Sequence, residues 1–398
     1  MRIKNKSKLV LIFPFILLAV ILPIYLLLEI YDLGKNGIYR KDLYQGLYYN
    51  FSSLSLQKQL EKYNYTVQLP KNPNVPYRIA ILCRHDRLAC MRVQQAANNL
   101  GWESLFISIS TNMHPIDIFR MYNIVRQFNP DFTISAADFG KVGDIKHYFI
   151  LHFPCLRNNA KYLIDIALVP YYCPKPIKSD GLLAVTDFKK INQYYEDISI
   201  PIIDFKFSRP KTEFIKINYS RLFMCGYNWD NTRSGLKYKK LYKLLDKRKD
   251  IDMYGPRSGW LLLNSYRGFI PYNDQLFVDT IRKSGIGLAL HSEDHIMENF
   301  PSGRVLELVS SSALVIVDEM PWAKETFGDN ILYIETLNKS PEEIYSQINQ
   351  HLEWIKSHPE EAYEKAKKAH QIYLDKFTME QILTNVANMH NNIVSREN

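Results

Sequence analysis

The sequence predicts an α/β protein: two tandem Rossmann-like halves facing a cleft, preceded by one N-terminal transmembrane helix. Three observations predict it. From Tyr77 onward short apolar runs alternate with amphipathic segments, the same order begins again after about residue 211, and Leu9–Leu28 is an apolar run without a charged residue. The 398 residues are too many for one ordinary core and suit two. With 46% hydrophobic and 23% charged residues, the composition is that of a folded protein rather than a disordered one. A net charge of +9 favours an anionic partner. Charge alone does not choose between a membrane surface, nucleic acid and a phosphorylated small molecule.

Residues 1–8 form a short tail carrying Arg2, Lys4, Lys6 and Lys8. Residues 9–28 follow as the expected anchor, because about 20 residues at about 1.5 Å each span the roughly 30 Å hydrocarbon core of a membrane. The run ends at Glu29-Ile30-Tyr31-Asp32, a poor cleavage site, so the helix is expected to be retained. The basic tail favours a cytoplasmic N-terminus, but Lys35, Arg40 and Lys41 follow closely and leave the side of the soluble part open. Residues 29–75, Tyr-rich and ending in "LPKNPNVP", read as a stem.

The first half, 76–210, opens with the strand-like "YRIAILC", a polar loop and the helical "LACMRVQQAANNL" stopped by Gly101. "SLFISI", "IDIFRMYNIVRQF", "DFTISA", "KHYFILHF", "DIALV" and "LLAVTD" continue the alternation expected of a parallel sheet covered on both faces. The second half, 211–365, repeats it with "SRLFMCGYN", "LKYKKLYKLLDKR", "IDMYGP", "NDQLFVDTIRKS", "GIGLALH", "GRVLELVSSS", "ALVIVDE" and "NILYIE". Residues 366–398 read as a C-terminal helix packing back towards the first half. Cys83, Cys90, Cys155, Cys173 and Cys225 lack paired metal-ligand spacing and are odd in number, so buried free thiols are expected and zinc is not.

Ligands of doubly wound sheets lie beyond the carboxyl ends of the strands. The stretch "ENFPSGRVLELVSSSALVIVDE" sits at such an end. Ser302 suits a helix N-cap, and Gly303 leaves the first-turn amides uncovered for a diphosphate. Arg304 adds a planar cation, and Glu307, one turn on, can accept two ribose hydroxyls. Alone, Arg304 and Glu307 would equally suit an ordinary i,i+3 surface pair. Neighbouring strand ends favour the site: they bring His291 to the same mouth, with Gly226 and Arg233 after the first strand and Tyr254 and Gly255 after the second.

The succession "MCGYNWD", "MYGP", "GIGLALH", "PSGRVLELVSSSALVIVD" and "FGDNILYI" resembles the C-terminal half of GT-B glycosyltransferases, more narrowly the group-1-like transferases. The likeness in layout covers about residues 77–380, with the motifs within about 221–335. It implies that Glu307 holds the donor ribose and Ser302–Arg304 the diphosphate. It departs from the E-x7-E pattern, whose first acid would fall on Asn299, one residue after Glu298.

The acceptor half is expected to supply the catalytic group from "CRHDRLACMR", as His85 or Asp86, or from "SAADFG", as Asp138. The chemistry would then be a membrane-anchored transfer of sugar from a nucleotide diphosphate donor to a hydroxyl of a glycan or lipid-linked glycan. No cofactor, obligatory metal or nucleic acid is expected. Asp250 and Asp252, in D-x-D spacing, open a strand at the end away from the cleft and read as surface. An epimerase on the same fold and a non-enzymatic, membrane-tethered sugar-binding module are the alternatives.

Overall fold

Strands buried on both faces set the architecture. The computed structural model describes residues 47–62, 67–83, 87–109, 115–135, 142–151, 179–185, 200–226, 233–256, 260, 262–271, 273–297 and 299–397. The N-terminal lobe contains β1 (Leu47–Phe51), α1 (Leu54–Lys62), β2 (Arg78–Cys83), α2 (Arg87–Asn99), β3 (Glu103–Ile109), α3 (Pro115–Phe128), β4 (Phe132–Ser135), β5 (Lys146–Leu151), β6 (Gly181–Ala184) and β7 (Ile202–Asp204). Its strands form a seven-stranded sheet in the order β1-β3-β2-β4-β5-β6-β7. Only β1 is antiparallel, against β3, and every residue of β2 is buried. Residues 47–62, expected within a stem, therefore extend this sheet and cover it.

The C-terminal lobe contains β8 (Arg221–Cys225), α4 (Leu236–Leu245), β9 (Ile251–Tyr254), β10 (Tyr266–Gly268), α5 (Asp274–Ser284), β11 (Gly285–Ala289), α6 (Glu293–Met297) and α7 (Gly303–Ser310). It continues with β12 (Leu314–Asp318), α8 (Pro321–Phe327), β13 (Leu332–Ile334), α9 (Pro341–Ser357), α10 (Pro359–Lys376) and α11 (Met379–Glu397). Its six strands are all parallel, in the order β10-β9-β8-β11-β12-β13. α7 lies close against β11 because Gly287 has no side chain: a methyl there would stand 2.5 Å from Leu308 Cδ2. That close approach seats the helix bearing Glu307.

The chain crosses between lobes twice. The segment after β7 leads into the second lobe, and α10 leads back out of it into α11. Met379, Ile382, Leu383, Val386 and Met389 of α11 are buried with Ile79, Val93 and Phe132 in the N-terminal core. The crossings are bolted together: Met379 N donates to Arg209 O at 2.8 Å, and Tyr373 Oη lies 3.0 Å from Arg209 O and 2.6 Å from Pro210 O.

Two expectations are corrected. Among the described residues no helix is long and apolar enough to cross a membrane. Even the longest, α9 to α11, bury one face and keep charged residues on the other. The run 9–28 lies outside the described residues, so the N-terminal transmembrane helix and the single-pass membrane localisation are not carried forward. The cysteines are not all free thiols either: Cys83 and Cys90 form a disulfide, because the end of β2 and the first turn of α2 come within 6.4 Å (Cα–Cα). Cys225 is free. Cys155, Cys173 and the expected strand "DIALV" lie outside the described residues.

Candidate functional site

The C-terminal sheet reverses its winding at β8, which has β9 on one side and β11 on the other. Connections leave β8 and β11 in opposite directions, and the crevice between their carboxyl ends is where such sheets take ligands. Gly226 follows β8, and His291 and the first turn of α7 follow β11. Tyr254 and Gly255 end the neighbouring β9. These loop ends interlock: Gly226 N donates to Tyr254 O at 3.2 Å, and Trp260 Nε1 donates to Gly226 O at 3.2 Å. Gly255 has φ +145°, and a Cβ there would stand 2.3 Å from Gly226 O, so glycine is required. Tyr254 stacks on Phe223 at 5.3 Å, and burial pushes its hydroxyl pKa up.

His291 is fully buried, and both its ring nitrogens are engaged inside the protein. Ser302 N–H donates to Nε2 at 3.0 Å, so Nε2 is the acceptor nitrogen and Nδ1 carries the proton that faces Asp318 Oδ2 at 3.0 Å. His291 thus ties β12 to the turn before α7 and sets that turn's orientation, instead of facing a ligand. Ser302 occupies the N-cap position without a side-chain cap bond. Gly303 begins the helix under the interlobe segment; a Cβ there would stand 3.2 Å from Phe207 O.

Glu307 is not open. Its Oε1 accepts from Arg92 Nη1 at 2.5 Å, and Oε2 pairs with Arg304 Nη1 at 2.7 Å. Arg92 belongs to α2 of the opposite lobe. Its Nε also donates to Asp274 Oδ1 at 2.7 Å, while Arg209, on the crossing segment, holds Asp274 Oδ2. The Arg304 guanidinium lies over the Phe277 ring, 4.9 Å from its centre. Burial alone would raise the Glu307 carboxyl; Arg304, Arg92 and Arg209 outweigh it and hold it below the usual carboxylate range. The i,i+3 pair of Arg304 and Glu307 is thus present, and the same carboxylate is tied to the opposite lobe through Arg92.

Burial first, then the neighbouring His291 and Arg233, push His295 down to about 3. The folded state therefore resists protonating His295, whereas the unfolded chain accepts the proton near 6.5. Between those values the unfolded state binds more protons, so stability falls as pH falls, by up to about 1.4 kcal/mol per pH unit. Denaturant titrations between pH 7 and 4 should show a shallower pH slope for His295→Gln than for the parent; equal slopes would contradict the assignment.

His85, Asp86 and Asp138 lie outside the described residues. The strands that precede them, β2 and β4, are neighbours at the N-terminal sheet's own reversal point. Asp250 and Asp252 are held at the start of β9, Asp250 by Arg248 at 2.6 Å and Asp252 by Arg221 at 2.6 Å and Arg267 at 2.7 Å.

Residues 233–388, which contain α7 and every strand of the second sheet but β8, match the glycosyl transferase-like family model. Solved structures match both lobes together. A glycosyltransferase from Rickettsia africae is 14% identical over 80% of this chain and 99% of its own, with a TM-score of 0.51. A sucrose-phosphate synthase from Thermosynechococcus elongatus is 9% identical over 80% of this chain and 100% of its own, with a TM-score of 0.52. The Anabaena protein HepE, solved with UDP-glucose, is 9% identical over 79% of this chain and 100% of its own, with a TM-score of 0.50. No curated protein matches the sequence. The chain has the two-lobed GT-B fold of these proteins.

In this GT-B fold Gly226 and Gly255 follow β8 and β9, Tyr254 ends β9, and His291 and Ser302 lie between β11 and α7, which carries Gly303, Arg304 and Glu307. Local pattern missed the partners of Glu307. A signal existed for Arg92: it falls in phase with Cys90, Val93, Ala96 and Ala97 on the buried side of α2. An arginine there demands a counter-charge. Nothing local marked Asp274 or Arg209 as part of the answer.

Proposed function

We propose that the protein transfers a sugar from a nucleoside diphosphate donor to a hydroxyl of a glycan acceptor. The observation that carries the reading is a carboxylate, Glu307, one turn inside a helix whose amino end opens at the reversal point of a parallel sheet. Glu307 accepts the ribose hydroxyls. The first-turn amides of α7 and the Arg304 guanidinium take the diphosphate. His291 and Asp318 hold the turn in place, and Tyr254 and Gly255 wall the crevice. In the reaction the bond from the sugar's anomeric carbon to the diphosphate oxygen breaks and a bond to the acceptor oxygen forms. The acceptor's proton passes to a base, for which His85, Asp86 and Asp138 remain the candidates, and the nucleoside diphosphate leaves. The leaving charge is met by amides and Arg304, so the proposed mechanism needs no metal.

Calorimetric titration of the full chain with UDP, ADP, GDP and dTDP, followed by transfer assays with the matching nucleotide sugars, tests this. At least one nucleotide should bind, and nucleotide release should require an acceptor and persist in EDTA. Binding of none would end the donor assignment. Binding without release would mark a sugar-binding module, and sugar conversion without acceptor an epimerase.

A further inference from the structure

Glu307 carries a ligand already, and that ligand comes from the other lobe. Arg92 spans the cleft: its guanidinium reaches Glu307 and Asp274, both on the C-terminal lobe, and its side chain is only 3% exposed. Two features separate this contact from an ordinary structural ion pair. First, Arg92 is redundant for charge. Glu307 retains Arg304 and Asp274 retains Arg209 if Arg92 leaves. Second, Arg92 is incompletely satisfied, since its Nη2 is buried without a partner among the described residues. A buried donor left unpaired costs free energy, so the seat is not the best one available to a guanidinium.

Resting on the donor reading above, we propose that Arg92 is the donor's stand-in on Glu307. Its N–H groups occupy the carboxylate in the nucleotide-free protein, and ribose hydroxyls replace them when a nucleoside diphosphate enters. Both are hydrogen-bond donors to the same oxygens, so they compete for one seat. Because the two groups belong to different lobes, exchange also removes a direct tie across the cleft. Entry of the donor and loosening of the lobes become one event, with the carboxylates never left bare. Arg92 in this role is a positioning residue: it sets the starting state of Glu307 and touches no reacting atom.

The direction of the effect distinguishes competition from support. In Arg92→Met the apolar stem of the side chain is kept and the competitor removed. UDP, or whichever nucleoside diphosphate binds the parent, should bind roughly fivefold more tightly or better, as expected for ordinary coupling between two sites. A supporting arginine predicts the opposite sign. Unchanged or weaker nucleotide affinity in Arg92→Met would overturn the proposal. Arg92→Lys, which keeps the charge but not the fork, should fall between parent and Arg92→Met, and it serves as the variant if the methionine form does not fold. Small-angle scattering of the nucleotide-free proteins gives a reading independent of the donor. If no nucleoside diphosphate binds parent or variant, the donor assignment has failed. The tie across the cleft then stands on a larger radius of gyration in Arg92→Met, and falls on an unchanged one.

Discussion

Replacing Glu307 with alanine is expected to lower nucleoside diphosphate affinity by about a hundredfold or more and to destabilise the protein at the same time. The first effect follows from losing two hydrogen bonds to a charged acceptor, each contributing about 1.5–3 kcal/mol. The second follows from what is left behind: Arg92 and Arg304 stay in place while the carboxylate between them is gone. Removing one partner of a buried pair costs about 3–5 kcal/mol. That figure is an upper limit here, because Arg92 keeps Asp274. Glu307→Gln keeps the shape and one acceptor and should lose less on both counts. The variants also separate by pH. The folded-state pKa of Glu307 is depressed, so its contribution to stability is present above the unfolded value of about 4.5 and is lost as pH falls through the lower folded value. Acid unfolding of Glu307→Gln should lack that share. Calorimetry and urea titration at pH 7 and pH 4 read all of this, and a folded Glu307→Ala protein with unaltered nucleotide affinity would refute the ribose role.

Ending the chain after Thr378 is expected to unfold the N-terminal lobe and leave much of the C-terminal lobe intact. Ile382, Leu383, Val386 and Met389 of α11 are each at most 5% exposed. Burial of such side chains contributes about 1.5–3 kcal/mol apiece. The four together match the whole stability of an ordinary domain, about 5–15 kcal/mol. Hydrogen exchange should show protection lost in β2 to β5 and kept in β8 to β12. Retained protection throughout would show that the lobe closes its core without the helix.

The sheets were legible because parallel strands buried on both faces write themselves as short apolar runs, and β2, β11 and β12 are buried along their whole length. The strand ends were legible because glycine, proline and polar residues interrupt those runs there. The state of Glu307 was not, since Arg92 stands 215 residues away in sequence. No local period reports a partner at that distance; only the wrong polarity at a buried helical position hints that one exists. His291 misled for a related reason. A histidine after a strand reads as a ligand-facing group, and only the fold shows Asp318 beneath it and the Ser302 amide beyond it. The edge strand β1 escaped because its sequence LYYNF sets two tyrosines side by side before an asparagine, so apolar alternation is weak.

The two crossings limit how proteins of this two-lobed fold can be recombined. The N-terminal lobe is discontinuous in the gene, made from the residues before Arg209 and those after Thr378. A hybrid joined at a single point near residue 210 would pair one parent's N-terminal lobe with the other parent's terminal helix, and its core would be assembled from mismatched pieces. The exchangeable cassette is the inserted C-terminal lobe, carried between two junctions that already lie side by side at Arg209 and Met379.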